Sequence, residues 1–194
     1  TEAGVRRIFE AKRRSYEKPS GMFADAEWSR ALHVLPEEKR AMIDTLIGEE
    51  KLPFAVVAPF REDHPLLARV EPFVLASSSK AGTMDMLLNA GPFHDALAKR
   101  AREEGRPVFG SSANTSLQGS KYRVEDIEPE VRAAAAVEID HGRSLYANEH
   151  GRSSTIIDFR DVSVVRVGVC VDRLRAAVRE RFDVTLTDQE GRPA

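Results

Sequence analysis

Cysteine is almost absent from this sequence of 194 residues, in which Cys170 is the only example. A single cysteine excludes an internal disulfide framework and fits a reducing compartment, so we expect a cytoplasmic protein. No apolar run approaches the roughly 20 residues that a membrane-spanning helix needs, and we therefore expect no membrane partner. The charges nearly cancel, with 29 basic and 31 acidic residues and a formal net charge of −2. The chain as a whole is thus not a general binder of polyanions.

Common short signatures of catalysis and metal binding are also missing. The sequence contains no GxGxxG, no GxxxxGK and no GxSxG pattern, which are the dinucleotide-binding, P-loop and serine-hydrolase fingerprints. The histidines are scattered, and although Asp140, His141 and His150 can be imagined around one metal, no HxxxH or CxxC spacing supports such a site. We predict no metal site formed by side chains and assign no catalytic side chain.

The hydrophobic periodicity predicts helices and strands mixed throughout the chain. Several strands joined by short turns favour a mixed-sheet α/β (α+β) fold over a purely parallel βαβ array, and the length suits a single domain over residues 1–194. We predict helices over residues 2–14, 37–49, 92–105 and 171–182, and a short one over 124–131 that Pro129 breaks. We predict strands over residues 54–59, 72–77, 83–89, 107–112, 133–140, 144–148, 154–159, 163–168 and 184–188.

Four cations lie at the end of the first predicted helix and in the loop after it, in KRRSYEKP at residues 12–19. Lys12, Arg13, Arg14 and Lys18 can be solvated residues that complement the negative end of the helix dipole. Alternatively, they form a clamp for phosphate or carboxylate, in which arginine offers a bidentate fork and lysine a mobile point charge. The two interpretations have similar weight from the residues alone.

A run of small polar residues, GSSANTS at residues 110–116, follows a predicted strand. Its hydroxyls and the carboxamide of Asn114 can donate and accept hydrogen bonds. Such side chains often assist backbone N–H groups in holding anions and nucleotides. A Ser/Asn-rich turn without a ligand is also common, but the end of a strand is where open α/β sheets tend to bind ligands.

Two late strands carry a third group of polar residues. Ser153, Ser154 and Thr155 lead into one predicted strand, and Arg166 lies in the next, just before Gly168. Arg166 is either an exposed edge-strand cation or a guanidinium that binds a ligand.

Taken in this order, the three groups resemble the signature of the YrdC-like family of threonylcarbamoyl-adenylate synthases. That signature runs as a helix ending in KxRxxxKP, then SANxS, then an ST-[IV]-[IV]-D strand, then [VL]-R-x-G. This chain reads KRRSYEKP at 12–19, SANTS at 112–116, STIID at 154–158 and VRVG at 165–168. Each motif is weak alone, but four of them in the same order are specific.

The resemblance implies a fold and a reaction. Family members form a twisted mixed sheet with flanking helices around a concave basic cavity. They convert L-threonine, bicarbonate and ATP into threonylcarbamoyl-adenylate and pyrophosphate, with Mg²⁺ expected to accompany the ATP. The product feeds the N6-threonylcarbamoyl modification of adenosine in tRNA, and some members are described as binding double-stranded RNA.

The same resemblance implies roles for seven residues of this chain. Fixed cations and hydrogen-bond donors would stabilise the charge that builds on departing pyrophosphate, so no nucleophilic side chain is required. The implied ATP and phosphate contacts are Lys12, Arg14, Lys18, Asn114 and Arg166, and the implied contacts to the threonylcarbamoyl group are Ser112 and Ser154.

The departures from the family signature concern mainly the amino-acid pocket. A TDTVYGL-like strand usually precedes the first helix, and we expect this domain to lack it. The family's RVPxHP-like stretch is replaced by LLNAGPFHD, in which Leu88 or a neighbour takes the place of the arginine and His94 that of the histidine. Phe23 stands near the place of a histidine that tends to follow KP.

Two alternatives to a full synthase therefore stay open. The first is a non-catalytic YrdC-like module that binds nucleotide or double-stranded RNA through the N-terminal cations, although the net charge of −2 disfavours strong RNA binding. The second is an enzyme acting on another amine or carbamoyl donor, as the YrdC-like part of hydrogenase-maturation carbamoyltransferases does.

Overall fold

A computed structural model describes residues 1–189 as helices packed on one mixed β-sheet. The helices are Glu2–Ala11 (α1), Ala26–Leu32 (α2), Glu37–Gly48 (α3), Pro72–Ala76 (α4), Pro92–Glu103 (α5), Pro129–Ala133 (α6) and Val171–Phe182 (α7). The strands are Gly21–Phe23 (β1), Phe54–Pro59 (β2), Ser79–Lys80 (β3), Thr83–Leu88 (β4), Val108–Gly110 (β5), Ile156–Asp158 (β6), Ser163–Arg166 (β7) and Thr187–Asp188 (β8).

The sheet has the strand order β5-β1-β4-β2-β6-β7-β8, and the short β3 pairs with β4. Neighbours β1 and β4, β2 and β6, and β7 and β8 are parallel. The remaining pairs are antiparallel. This mixture confirms the predicted α/β fold with a mixed sheet.

One face of the sheet packs into the hydrophobic core. Along β4, Met84, Met86 and Leu88 are fully buried. The residues between them point to the opposite face, because successive side chains of a strand alternate. Helices α2, α3 and α7 cover the buried face with Trp28, Leu32, Met42, Leu46, Leu174 and Val178.

Helix α2 was not predicted from the sequence, and its start depends on a tertiary contact. Asp25 caps the helix by accepting a hydrogen bond from the backbone N–H of Trp28 at 2.8 Å. Arg102 of α5 holds the same carboxylate at 2.9 Å. The Trp28 indole then donates to the Ala98 carbonyl at 3.1 Å, which locks α2 against α5.

The prediction of a strand over residues 72–77 was wrong, since this segment is helix α4. Pro72 occupies the first turn, where its missing N–H costs nothing. The apolar run is buried by packing Val74 against Val5 and Phe9 of α1 rather than by pairing in the sheet. A short apolar run alone does not distinguish these two outcomes.

The strands predicted over residues 133–140 and 144–148 were also wrong, because the segment after α6 is mostly exposed loop. Val137 and Ile139 are 75% and 58% exposed, so their alternation with polar residues marks no buried strand face. Pro129 begins α6 rather than interrupting a helix. Within residues 1–189, no helix has both the length and the apolarity to cross a membrane.

Candidate functional site

The face of the sheet opposite the core forms the floor of a concave cavity with two adjoining lobes. The smaller lobe has a volume of about 230 Å³ and the larger about 510 Å³. Asp85 and Arg166 line both lobes and therefore mark their junction. The small or apolar residues Gly21, Phe23, Ala55 and Leu87 also line the smaller lobe.

Arg14 reaches the smaller lobe from the loop after α1. Its guanidinium donates to the carbonyl of Pro19 at 2.8 Å and to that of Lys18 at 3.2 Å. These two bonds fix the loop that places Lys18 in the wall of the larger lobe. Burial lowers the pKa of Arg14, and the charge of Arg166 adds to that effect, so the two guanidiniums lie close enough to repel each other.

Arg166 enters the cavity from the end of β7. It donates two hydrogen bonds to the carbonyl of Ser154, at 2.8 and 3.1 Å, and one to the hydroxyl of Ser153 at 3.3 Å. The pairing of β6 with β7 is irregular between Ile156 and Ile157, and such bulges re-aim side chains. Partial loss of hydration in the cavity lowers the pKa of Arg166, although much of its side chain stays exposed, and Asp85 opposes this shift.

Gly168 explains how the Ser153–Ser154 turn comes so close to β7. A Cβ at this position would lie 2.3 Å from the backbone nitrogen of Thr155. That distance is too short for any residue with a side chain. The Thr155 hydroxyl donates to the Val169 carbonyl at 2.8 Å and closes the same turn. The glycine of the VRVG motif therefore serves the geometry beneath Arg166.

Lys12 and Asn114, both predicted to contact ATP, lie together behind the 110–116 loop and are not among the residues that line either lobe. The Lys12 ammonium donates to the carbonyls of Ser112 and Asn114 and to the Asn114 carboxamide oxygen. The carboxamide nitrogen donates to the Thr115 carbonyl at 2.8 Å. Burial, with the nearby Arg14 charge, lowers the pKa of Lys12 to about 8, while Glu128 opposes the shift. The pair holds the loop in shape.

The structure thus divides the seven predicted site residues into three groups. Arg14, Ser112, Ser154 and Arg166 meet in the smaller lobe. Lys18 and Arg166 line the larger lobe. Lys12 and Asn114 brace the loop that carries Ser112.

Asp85 is one of the charged cavity residues that sequence reasoning missed; Lys80 and Arg160 of the larger lobe are others. One of the Asp85 carboxylate oxygens, Oδ1, is buried and makes no hydrogen bond within residues 1–189. Burial raises the pKa of Asp85 to about 6, and Arg166 opposes this rise. The signal was present in TMDMLL, where an acid interrupts an apolar strand and the two-residue period places it opposite Met84 and Met86.

Side chains along β4 point alternately to the core and to the cavity, which decides which leucine takes the place of the family's arginine. Leu88 is fully buried in the core, whereas Leu87 lines the smaller lobe beside Phe23. His94 does not line the lobe but packs behind Phe23, with ring centroids 5.3 Å apart. The side chain that faces the lobe here is therefore the apolar Leu87, at a place where the family resemblance implies an arginine.

The N-terminal cations do not form one basic face. Arg6 pairs with Glu2 at 2.7 Å and lies over the ring of Phe73 at 4.2 Å. Lys12 is buried, and Arg13 approaches Glu130 at 4.0 Å. Apart from Arg14 and Lys18, which face the cavity, this cluster is dispersed among local partners.

The described part of the chain also contains no group of three or more histidine, cysteine or acidic side chains placed to hold a metal. His33 is a core residue: its ring nitrogens lie 3.1 Å from the Ser29 hydroxyl and 3.2 Å from the Met84 carbonyl oxygen. Burial lowers the pKa of His33 to about 4, so the ring is neutral at physiological pH.

Comparison with known proteins adds a family assignment to this geometry. The family model for Sua5, YciO and YrdC, described as "Telomere recombination", matches residues 1–168. No curated protein matches the chain.

Solved structures with the same fold include a hypothetical protein from Streptococcus mutans UA159, with 21% identity and a TM-score of 0.77 over 96% of this chain and 82% of that one. Sua5 from P. abyssi, in complex with L-threonine, has 21% identity and a TM-score of 0.67 over 94% of this chain and 48% of its own. YciO from E. coli has 16% identity and a TM-score of 0.51, covering 85% and 73%. This chain therefore spans about half the length of Sua5.

Proposed function

The chain belongs to the Sua5/YciO/YrdC family, and from that premise we propose that it is a nucleotidyltransferase of the threonylcarbamoyl-adenylate synthase type. Its substrates are ATP, bicarbonate and L-threonine or a related amino acid, and its product serves N6-threonylcarbamoyladenosine formation in tRNA. One observation carries the proposal: Arg14 from the N-terminal region and Arg166 from β7 meet in one lobe with the hydroxyls of Ser112 and Ser154.

The reaction needs charge stabilisation more than a reactive side chain. The amino group and bicarbonate form a carbamate with loss of water. A carbamate oxygen then bonds to the α-phosphorus of ATP while the bond from that phosphorus to the bridging oxygen breaks, and pyrophosphate leaves with the electron pair. Fixed cations lower the barrier to such a step by stabilising the departing charge.

The sizes of the two lobes suit ATP and the amino acid. The larger lobe, about 510 Å³ and carrying Lys18, lies within the range of small-ligand pockets and has room for a nucleotide. The smaller lobe of about 230 Å³ suits a small amino acid. Arg166 stands at the junction, where the α-phosphate and the carbamate would meet. Mg²⁺ would take most of its ligands from phosphate and water, since residues 1–189 offer it no ready-made cluster.

Pyrophosphate release from ATP, bicarbonate and L-threonine tests the proposal. We expect release that depends on the amino acid, and a rate about 10- to 100-fold lower in Arg166→Met, because charged hydrogen bonds contribute about 1.5–3 kcal/mol. Arg100→Met is the matched control, because Arg100 lies exposed on α5 and pairs with Glu104 just beyond the helix. Its rate should equal that of the wild type. Absent release, or release that does not require an amino acid, would contradict a synthase.

A second candidate, nucleotide binding without catalysis, is favoured by Leu87 in the wall of the smaller lobe. It predicts calorimetric ATP binding that Arg166→Met weakens, together with no pyrophosphate. The dispersal of the N-terminal cations does not favour the form of this candidate that binds double-stranded RNA. If the protein retained duplex RNA at low salt and lost it steeply as salt was added, the hypothesis of RNA binding would be supported again.

A further inference from the structure

We propose that Asp85 binds the amino group of the substrate and thereby restricts the smaller lobe to small molecules that carry an ammonium next to an anionic group. This inference rests on the proposed function, because it names the substrate class of the same cavity. It assigns a specificity role to a residue that none of the four sequence motifs contains.

The Asp85 carboxylate projects from the middle of β4 at the junction of the two lobes. Gly21 lies beside it on β1, and a Cβ built there would be 3.5 Å from Asp85 Oδ2, so the absence of a side chain keeps this side open. Oδ1 is closed off from solvent and makes no hydrogen bond inside the described chain, so the carboxylate has no internal partner. Oδ2, on the side left open by Gly21, is therefore the acceptor that a donor in the lobe would meet.

Positive and negative groups stay apart in the smaller lobe. The Arg14 guanidinium is held by carbonyls of its own loop and that of Arg166 by the Ser154 carbonyl. Neither guanidinium hydrogen-bonds to the buried oxygen of Asp85. The lobe therefore offers two positive groups and one negative group that remain distinct. A purely anionic ligand would be repelled by Asp85, whereas a zwitterion satisfies both signs at once.

The surroundings of Asp85 favour an ammonium over a divalent cation. In the smaller lobe Ala55 and Leu87 supply no oxygen ligands. The larger lobe adds Thr83 and Asp158, but the described residues form no cluster of three or more metal-binding side chains. Two nearby guanidiniums repel a double charge more strongly than a single one. The apolar residues instead suit the short aliphatic part of an amino acid.

The test compares ligands that differ only at the amino group. Calorimetry would measure L-threonine, L-serine and L-alanine against the 2-hydroxy acids in which a hydroxyl replaces the amine, with wild type and Asp85→Asn. We expect the wild type to bind at least one amino acid about tenfold or more tightly than its hydroxy acid. In Asp85→Asn this preference should fall to about twofold or less. Asp63→Asn, an exposed carboxylate outside the cavity, should keep the full preference.

Three results would overturn the inference: equal binding of amino and hydroxy acids by the wild type, a preference that survives in Asp85→Asn, or no binding by any of the six compounds. Binding of Mg²⁺ alone that Asp85→Asn abolishes, without an amine preference, would replace it with a metal site. A parallel pyrophosphate assay separates the two proposals. An intact assay with an unchanged preference in Asp85→Asn defeats only the role of Asp85. A preference that depends on Asp85 without pyrophosphate release defeats only the synthase.

Discussion

The two faces of the same sheet differ in what their side chains do, although they are built from alternate residues of the same strands. On one face, Met84, Met86 and Leu88 are buried beneath helices. On the other, Asp85 and Leu87 line a cavity beside cations. Residues that stabilise the fold and residues that face the ligand thus alternate along one strand. Substitutions at neighbouring positions should therefore differ, with one lowering stability and the other changing ligand affinity.

The largest expected effect comes from the neighbours Leu87 and Leu88 on β4, which have the same side chain on opposite faces. Leu88→Ala should lower the free energy of unfolding by about 2–5 kcal/mol, because it leaves a cavity in the packed core. Leu87→Ala should cost less than about 1 kcal/mol, because the side chain is only partly buried. Denaturant unfolding monitored by circular dichroism measures both.

The same pair gives the converse result for binding. Leu87→Ala should alter the affinity for the small ligand, whereas the folded fraction of Leu88→Ala should bind as the wild type does. Equal destabilisation by the two substitutions would show that the cavity face is a second core.

A substitution of intermediate effect should stabilise the protein. The pKa of Asp85 rises from 3.8 to about 6 on folding, so the folded state keeps a proton that the unfolded state has already lost. The contribution to stability is therefore greatest below pH 4 and declines as the pH rises to about 6. Asp85→Asn should remove that decline and be more stable than the wild type at pH 7.5 by on the order of 1–3 kcal/mol.

Thermal or urea unfolding of both proteins between pH 4 and pH 7.5 checks the sign. His33, whose pKa is lowered to about 4, titrates in part of this window in the opposite sense, but its contribution cancels in the difference between the two proteins. A difference that is constant with pH would mean that Asp85 is ionised throughout. A carboxylate such as Asp85, which lowers the free energy of unfolding and faces a cavity, fits a role in ligand binding.

A smaller change in stability than at Leu88 or Asp85 is expected at Gly110, in the wall of the smaller lobe. A Cβ there would lie 2.7 Å from Cε1 of the Phe23 ring. That ring belongs to a side chain that can rotate, so Gly110→Ala should cost only about 1 kcal/mol. It should nevertheless push Phe23 within the lobe and change ligand affinity by more than the stability change alone implies. Ligand calorimetry beside thermal unfolding would decide the point, and a loss of stability without a change in affinity would place Phe23 outside the ligand's reach.

Helices and strands that depend on residues close in sequence were predicted, whereas those that depend on distant contacts were missed. Helix α7 matched its predicted range of 171–182 because its apolar positions recur at helical spacing. Strand β1 and helix α2 were missed because β1 is only three residues long and α2 begins at a cap shared with Arg102. Residues 72–77 were misassigned because a short apolar run can be buried in either a strand or a helix.

The motifs located two arginines that line the cavity but not the carboxylate of Asp85, and the ligand contacts they imply stay predictions. The motifs pointed to Arg14 and Arg166, and the structure brings both into one lobe. The motifs also pointed to Lys12 and Asn114, which hydrogen-bond to each other behind the loop. Motif order carries no information about which side of a turn a side chain faces, and that orientation depends on partners distant in sequence.

By itself, the sequence determined the fold class, the family signature and the approximate bounds of its longer helices and strands, because periodicity and motif order are local properties of the chain. Only the tertiary structure decided that Asp85 and Arg166 share a junction between two lobes, that Leu87 rather than Leu88 lines the wall, and that Lys12 braces a loop. The physical reason is that pairing of strands sets which alternate residues face solvent, and no short stretch of sequence encodes its own neighbours.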